Sequence, residues 1–133
     1  MTKINGTYNG NLRCELSHPS NTIIHTDAPK DNRGEGKFFS PTDLLAASLA
    51  SCILTIIGIR ARDKGIDIGN PSFQVNKAMA SNPRMVAKLK VEIIYDVPIP
   101  LEERAYLEEE GRNCPVALSL AESIQQELSF QYA

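Results

Sequence analysis

Ser40 to Gly65, SPTDLLAASLASCILTIIGIRARDKG, is the stretch that most restricts what this chain can fold into. From Leu44 to Ile59 it carries no charge, and Leu44, Leu45, Leu49, Ile53, Leu54, Ile56, Ile57 and Ile59 fall on every side of a helix. A helix that is apolar all round has to be covered all round. Its sixteen uncharged residues fall short of the ~20 that span a bilayer, and Ser48, Ser51 and Thr55 interrupt them, so the stretch reads as a core helix and not as a membrane span. Both ends are marked. Ser40 can cap the first turn, Pro41 fits the first helical position, and Asp43 completes a capping-box spacing. Arg60, Arg62 and Lys64 complement the C-terminal dipole, and Gly65 supplies the left-handed residue that ends the helix.

A chain of 133 residues makes a single domain, 1–133, large enough for a core but small for wrapping so apolar a helix. A partner subunit is one way to complete the cover. With a net charge of −2 and a pI near 5.7, nothing basic is clustered enough to neutralise phosphates, which argues against nucleic-acid or anionic-membrane partners. No apolar signal-like run follows Met1, so the cytoplasm is the expected compartment. Cys14, Cys52 and Cys114 are too few and too scattered for a disulfide scaffold, and in a reducing compartment any bridge among them would be transient. There is no CxxC pair, and His18 and His25 make no metal-ligand spacing with any cysteine. Neither metal nor cofactor is expected.

Taken in order, Ile4–Tyr8 and Leu12–Leu16 flank Asn9-Gly10-Asn11 as a hairpin, and a turn at 18–21 leads to a third strand at 22–26. The two histidines read as surface or hydrogen-bonded residues. Residues 27–39, DAPKDNRGEGKFF, are an aperiodic loop that does not match a phosphate loop; its length leaves open a plain connector or a lid at the helix start. Ser72–Ala80 and Met85–Val97 alternate as a second hairpin, with Phe73, Val75 and Met79 on one face of the first and Ala87, Leu89, Val91, Ile93 and Tyr95 on one face of the second. Leu101–Glu110 reads as a polar helix ended by Gly111, its Glu108-Glu109-Glu110 run a solvated face. Pro115 opens another helix with Val116, Leu120 and Ile124 on one side, and Leu128, Phe130 and Tyr132 alternate as a last strand. The class is α+β, with antiparallel sheets against helices.

By local sequence Cys114 is the reactive thiol, because a helix N-terminus stabilises a thiolate. Cys52 lies twelve residues into its helix, roughly 18 Å from the start, and gains little from the dipole. Alone it would read as a small buried hydrophobe.

The segment TDAPKDNRGEGKFFSPTDLLAASLASC at 26–52, followed by CPVALSL at 114–120, resembles the OsmC/Ohr family of thiol-dependent hydroperoxide reductases, and within it the OsmC-like branch. The resemblance covers essentially the whole chain. It implies an OsmC-like fold in which antiparallel sheets wrap a long central apolar helix, and an intertwined homodimer. It also implies that Cys52 is the peroxidatic thiol, oxidised by peroxide to a sulfenic acid, and that Cys114 is the resolving thiol that condenses with it to a disulfide. An external dithiol must reopen that bridge, and in some members of the family a lipoyl-type reductant does so.

A thiolate in an apolar site needs a positive partner. The family supplies an arginine from the N-terminal sheet, held by a glutamate at the start of the cysteine helix. Here Arg13 lies in the right region and Arg33 is the other candidate. The glutamate position falls on Thr42, beside Asp43, which departs from the family pattern, and Cys14 matches no family position. Two functions follow as expectations: a cytoplasmic thiol peroxidase acting on organic hydroperoxides or hydrogen peroxide, with Cys52, Cys114 and Arg13 as its catalytic residues; or a non-catalytic protein that binds a small hydrophobic ligand in a pocket around Cys52.

Overall fold

The computed structural model describes residues 1–133, and the chain divides into two compact units, Met1–Leu45 and Ala46–Ala133. The first holds a three-stranded meander of β1 (Asn5–Gly10), β2 (Arg13–Ser17) and β3 (Ile23–Asp27), paired in the order β1-β2-β3 and antiparallel throughout. The first hairpin turns at Asn11 and Leu12, both with positive φ (54° and 61°), and not at Asn9-Gly10 as the Asn-Gly signal suggests. Gly10 (φ 81°) is used instead at a register shift in the hairpin, where it pairs with Arg13 while Tyr8 pairs with Cys14. A short turn over 18–22, closed by His18 N–H to Thr22 O at 2.9 Å, then sets the β2–β3 register, ending with Arg13 opposite Asp27.

The expected long helix is α1 (Pro41–Asp63), and its ends form as the sequence requires. Asp43 N–H donates to Ser40 Oγ at 3.0 Å and Ser40 N–H donates to Asp43 Oδ2 at 2.9 Å, a reciprocal capping box. At the other end Ile66 N–H reaches Ala61 O at 2.8 Å and Gly65 N–H reaches Arg62 O at 3.1 Å, with Gly65 left-handed, so the last carbonyls are satisfied.

In the second unit the buried residues of α1 are Ala46, Leu49, Ala50, Ile53, Ile57 and Ala61, a stripe at helical spacing. Cover within one chain stops there, since Ser51, Thr55 and Ile59 are exposed. The sheet of this unit is β4 (Ser72–Ala80), β5 (Met85–Ile94) and β6 (Gln125–Gln131). β4 pairs antiparallel with β5, but β6 runs parallel to it, the one exception to the antiparallel sheets expected. The connection from β5 to β6 carries α2 (Leu101–Arg112) and α3 (Pro115–Ser119), which gives the chain the length a parallel return needs.

Two sequence expectations change here. A register shift at Ala78/Met79 pairs Met79 with Val86, so Val86 and not Ala87 joins Leu89, Val91, Ile93 and Tyr95 in the core. Gly111 does not end α2 but sits buried inside it, where a Cβ would lie 3.0 to 3.2 Å from side-chain carbons of Ile57 and Ile53. It permits a close helix–helix approach. Ion pairs Arg60–Glu110 (3.2 Å) and Lys64–Glu103 (2.6 Å) flank the contact, and Glu108 accepts from Tyr132 Oη at 2.9 Å, so the glutamate run carries structural partners. Tyr132 stacks on buried Tyr95 at 5.2 Å, with the Arg104 guanidinium 4.0 Å over its ring.

Replacing Gly111→Leu forces side-chain volume into that contact, and urea unfolding is expected to show a loss of about 1–3 kcal/mol, typical of overpacking. Ser40→Ala, which removes the cap, should cost about 1 kcal/mol in the same measurement.

Candidate functional site

Cys52 and Cys114 meet in the second unit. Cys52 projects from α1 one residue before buried Ile53 and is half-buried, while Cys114 is fully buried at the N-cap of α3. The path to Cys114 runs through the α2 contact: Gly111 packs against Ile53 and Ile57, and Cys114 N–H donates back to Gly111 O at 3.2 Å. The thiol of Cys114 has that of Cys52 as its neighbour and accepts from Ala117 N–H at 3.4 Å. All three cysteines are free thiols.

Local sequence singles out Cys114 as the activated thiol, and the structure reverses that. Burial pushes the Cys114 thiol above its ordinary value of 9.0; the Ala117 N–H opposes the shift, and the neighbouring Cys52 adds to it. α3 has only five residues, so its end offers little to offset desolvation. Cys114 therefore keeps its proton, with Cys52 beside it.

Arg13 belongs to the first unit. Its Nε lies 3.5 Å from Asp27 Oδ2 and its Nη2 lies 3.3 Å from Glu35 Oε1, with the Phe38 ring centroid 5.7 Å from Cζ. Asp27 is fully buried, and Lys37 N–H donates to its Oδ2 at 3.0 Å. Residues 27–39 are not a slack connector. They fold back on themselves around Asp27, through Asp27 N–H to Phe39 O (3.1 Å) and Gly36 N–H to Ala28 O (3.1 Å), and a Cβ on Gly34 would fall 1.7 Å from Ala28 O. Arg33, the alternative arginine, is exposed at a left-handed position after a single 3-10 turn at Lys30–Asn32.

At the departures from the family pattern, Asp43 is engaged in the capping box and the Thr42 hydroxyl lies 3.2 Å from that of Ser40. Asp27 and Glu35 were missed by sequence reasoning. The available signal was register: pairing Ser17 with Ile23 across the 18–22 turn carries Arg13 opposite Asp27. The histidines behave as surface residues, His18 bonded to Ser20 Oγ at 2.7 Å and His25 against Phe38 at 5.4 Å. Cys14 pairs across strands with Tyr8 and Thr26.

A cavity of about 400 Å³ in the second unit has an apolar floor of Leu49, Ile53, Val91 and Leu128 and a polar rim of Arg112, Gln126 and Glu127. Neither Cys52 nor Cys114 lines it, although Leu49 and Ile53 flank Cys52 on α1.

The Lys37 amide hydrogen bond, joined by the charge of Arg13, holds the Asp27 carboxyl below its ordinary 3.8, against the opposing pull of burial. A carboxyl whose folded pKa lies below its unfolded one contributes stability above the unfolded value, and that contribution is lost as pH falls through the folded value. Thermal unfolding followed from about pH 6 to about pH 2 should therefore show a steeper acid loss for the parent than for Asp27→Asn. Iodoacetamide near neutral pH should leave Cys114 unmodified until the protein unfolds, because a buried, protonated thiol is a poor nucleophile.

Residues 34–129 match the family model described as OsmC-like protein. Among solved structures, a protein of Psychrobacter arcticus named for osmotic stress induction and detoxification response is 45% identical, covering 98% of this chain and 96% of its own, with a TM-score of 0.94. An organic hydroperoxide resistance protein OsmC from Legionella pneumophila shares the fold at 19% identity (98% and 96% covered, TM-score 0.75). So does an organic hydroperoxide resistance protein from Elizabethkingia anophelis at 16% identity (100% and 98% covered, TM-score 0.76). No curated protein matches this chain.

Proposed function

The chain belongs to the OsmC-like family, and from that premise we propose that it is a thiol peroxidase reducing organic hydroperoxides or hydrogen peroxide through Cys52 and Cys114. The observation that carries the reading is that those two free thiols are neighbours, one half-buried and one fully buried. Support for the substrate class comes from the relatives of the same fold that are named organic hydroperoxide resistance proteins.

In the first step the Cys52 thiolate attacks one peroxide oxygen and the O–O bond breaks. The leaving alkoxide takes a proton to become alcohol, and Cys52 becomes a sulfenic acid. Cys114 then attacks the sulfenic sulfur, the S–O bond breaks, and water leaves as the disulfide forms. An external dithiol, of the lipoyl type the family resemblance suggests, reduces the bridge and is itself oxidised to a disulfide. Arg13 is assigned the role of cationic support for the thiolate on the family resemblance, not on any distance to Cys52.

The proposal includes a homodimer in a reducing cytoplasm. A single chain leaves Ser51, Thr55 and Ile59 of α1 exposed, and a second copy is the partner that would complete the cover. The second functional reading, a non-catalytic binder of a small hydrophobic ligand, is favoured by the apolar floor of the 400 Å³ cavity beside the Cys52 turn of α1.

One experiment separates the two. Reduced protein given one equivalent of cumene hydroperoxide should lose two hydrogens by intact mass, with peptide mapping locating the bridge at Cys52–Cys114. Cys52→Ser should abolish peroxide consumption, and Cys114→Ser, given excess peroxide so that a second equivalent oxidises the sulfenic acid, should accumulate sulfinic acid on Cys52. If all three thiols stay reduced and the peroxide persists, the binding reading stands in its place.

A further inference from the structure

The floor of the 400 Å³ cavity in the second unit is built from Leu49 and Ile53 of α1, Val91 of β5 and Leu128 of β6. These side chains offer no donor, acceptor or charge, so an apolar tail laid on them leaves water without stranding a polar group. The volume lies in the range of pockets that hold a small organic ligand. Every floor residue stands on a helix or a strand, so the shape is in place before a ligand arrives.

The rim decides which head group fits. Glu127 brings a negative charge to it, but Glu127 Oε1 lies 2.9 Å from Lys88 Nζ and accepts from Gln125 Nε2 at 3.2 Å, so that charge is already balanced. Arg112 is in the opposite position. Exposed in the last turn of α2, it has no ion pair, side-chain hydrogen bond or ring partner in the chain. The rim therefore presents one uncompensated positive charge. Gln126 Nε2 donates to Ala117 O at 3.1 Å, which holds the amide at the rim and leaves its second N–H for a ligand oxygen. An unpaired surface arginine is ordinary by itself, but one at the edge of an apolar cavity, beside an acid whose charge is spoken for, is complementary to an anion that carries an apolar tail.

We propose that this cavity binds a linear aliphatic monocarboxylate, with the carboxylate paired to the Arg112 guanidinium and the tail lying on the apolar floor. The inference rests on the reading of the cavity as a ligand site, and deepens it by naming the charge of the ligand and the residue that selects it. Arginine suits the task because its planar fork pairs a carboxylate through two parallel N–H bonds. Neither thiol lines the cavity, so the ligand is held and not oxidised, and the site is compatible with a peroxide cycle at Cys52 and Cys114.

The test is calorimetric titration of the whole reduced protein, as parent and as Arg112→Gln, with octanoate, octanol and acetate at low ionic strength. Octanoate should bind the parent at one site per chain with a dissociation constant of about 0.1 mM, and octanol, which has the tail without the charge, about tenfold more weakly. Acetate, which has the charge without the tail, should show no saturation below about 10 mM. Arg112→Gln should weaken octanoate about tenfold and leave octanol unchanged, because only the partner of the head group is altered. Octanoate that fails to bind, binds no tighter than octanol, adsorbs without saturating, or binds Arg112→Gln as it binds the parent overturns the proposal, as does an equal loss for octanoate and octanol in the variant. If Arg112→Gln does not fold, the comparison of octanoate with octanol on the parent decides. Octanol binding without octanoate binding leaves the cavity an apolar ligand site and removes only the carboxylate; binding of neither removes the ligand site as well. Peroxide consumption is read separately and bears on neither result.

Discussion

The rest of the second unit depends on covering α1, a helix with apolar side chains on every side and no charge from Leu44 to Ile59. One chain buries a single stripe of it, and the small residues in that stripe, Ala46, Ala50 and Ala61, keep its surface low. α2 reaches the stripe through Gly111, whose missing side chain lets Ile53 and Ile57 close on its backbone. Cys114 follows three residues later, hydrogen-bonded back to the Gly111 carbonyl, so the packing that covers the helix also delivers the second thiol to the first. Core and thiol pair are placed by one contact.

That placement decides the chemistry of Cys114. A helix N-terminus and a buried site act on a thiol in opposite directions, and here desolvation outweighs the Ala117 amide. The outcome suits a resolving thiol. In the proposed cycle its nucleophile is needed only after Cys52 has been oxidised, and a protonated Cys114 would not compete for peroxide beforehand. Cys52 is less buried and lies out of the dipole's reach, well into α1.

Features written in local sequence could be read directly. The capping box of Ser40 and Asp43, the Gly65 stop and the second hairpin of β4 and β5 each depend on residues a few positions apart, and each appears where the pattern indicates. Features set by tertiary contact could not. Gly111 looks like a helix terminator until Ile53 and Ile57 are known to lie against it. The bulge that moves Val86 inward breaks an alternation that otherwise favours Ala87, and the parallel pairing of β6 follows from how α2 and α3 route the chain. Asn9-Gly10-Asn11 identified the hairpin correctly, but Gly10 serves the register shift and leaves the turn itself to Asn11 and Leu12.

The site divides along the same line. Cys52 and Cys114 were legible through their helical contexts and a family resemblance, whereas their contact depends on α2 and could not be derived from spacing. Arg13 was legible as a candidate, but its carboxylates were sought at the start of α1, where Thr42 departs from the family pattern and Asp43 is engaged in capping. They lie instead on β3 and in the loop that follows it. A cross-strand partner is fixed by register, and register here is set by a turn at 18–22 that holds no charged residue. An acidic strand end facing a basic one therefore shows no periodicity and no motif. The burial of Asp27 completes the case, since a carboxylate with no solvent exposure and one nearby guanidinium is constrained to that partner more tightly than an exposed glutamate on a helix would be.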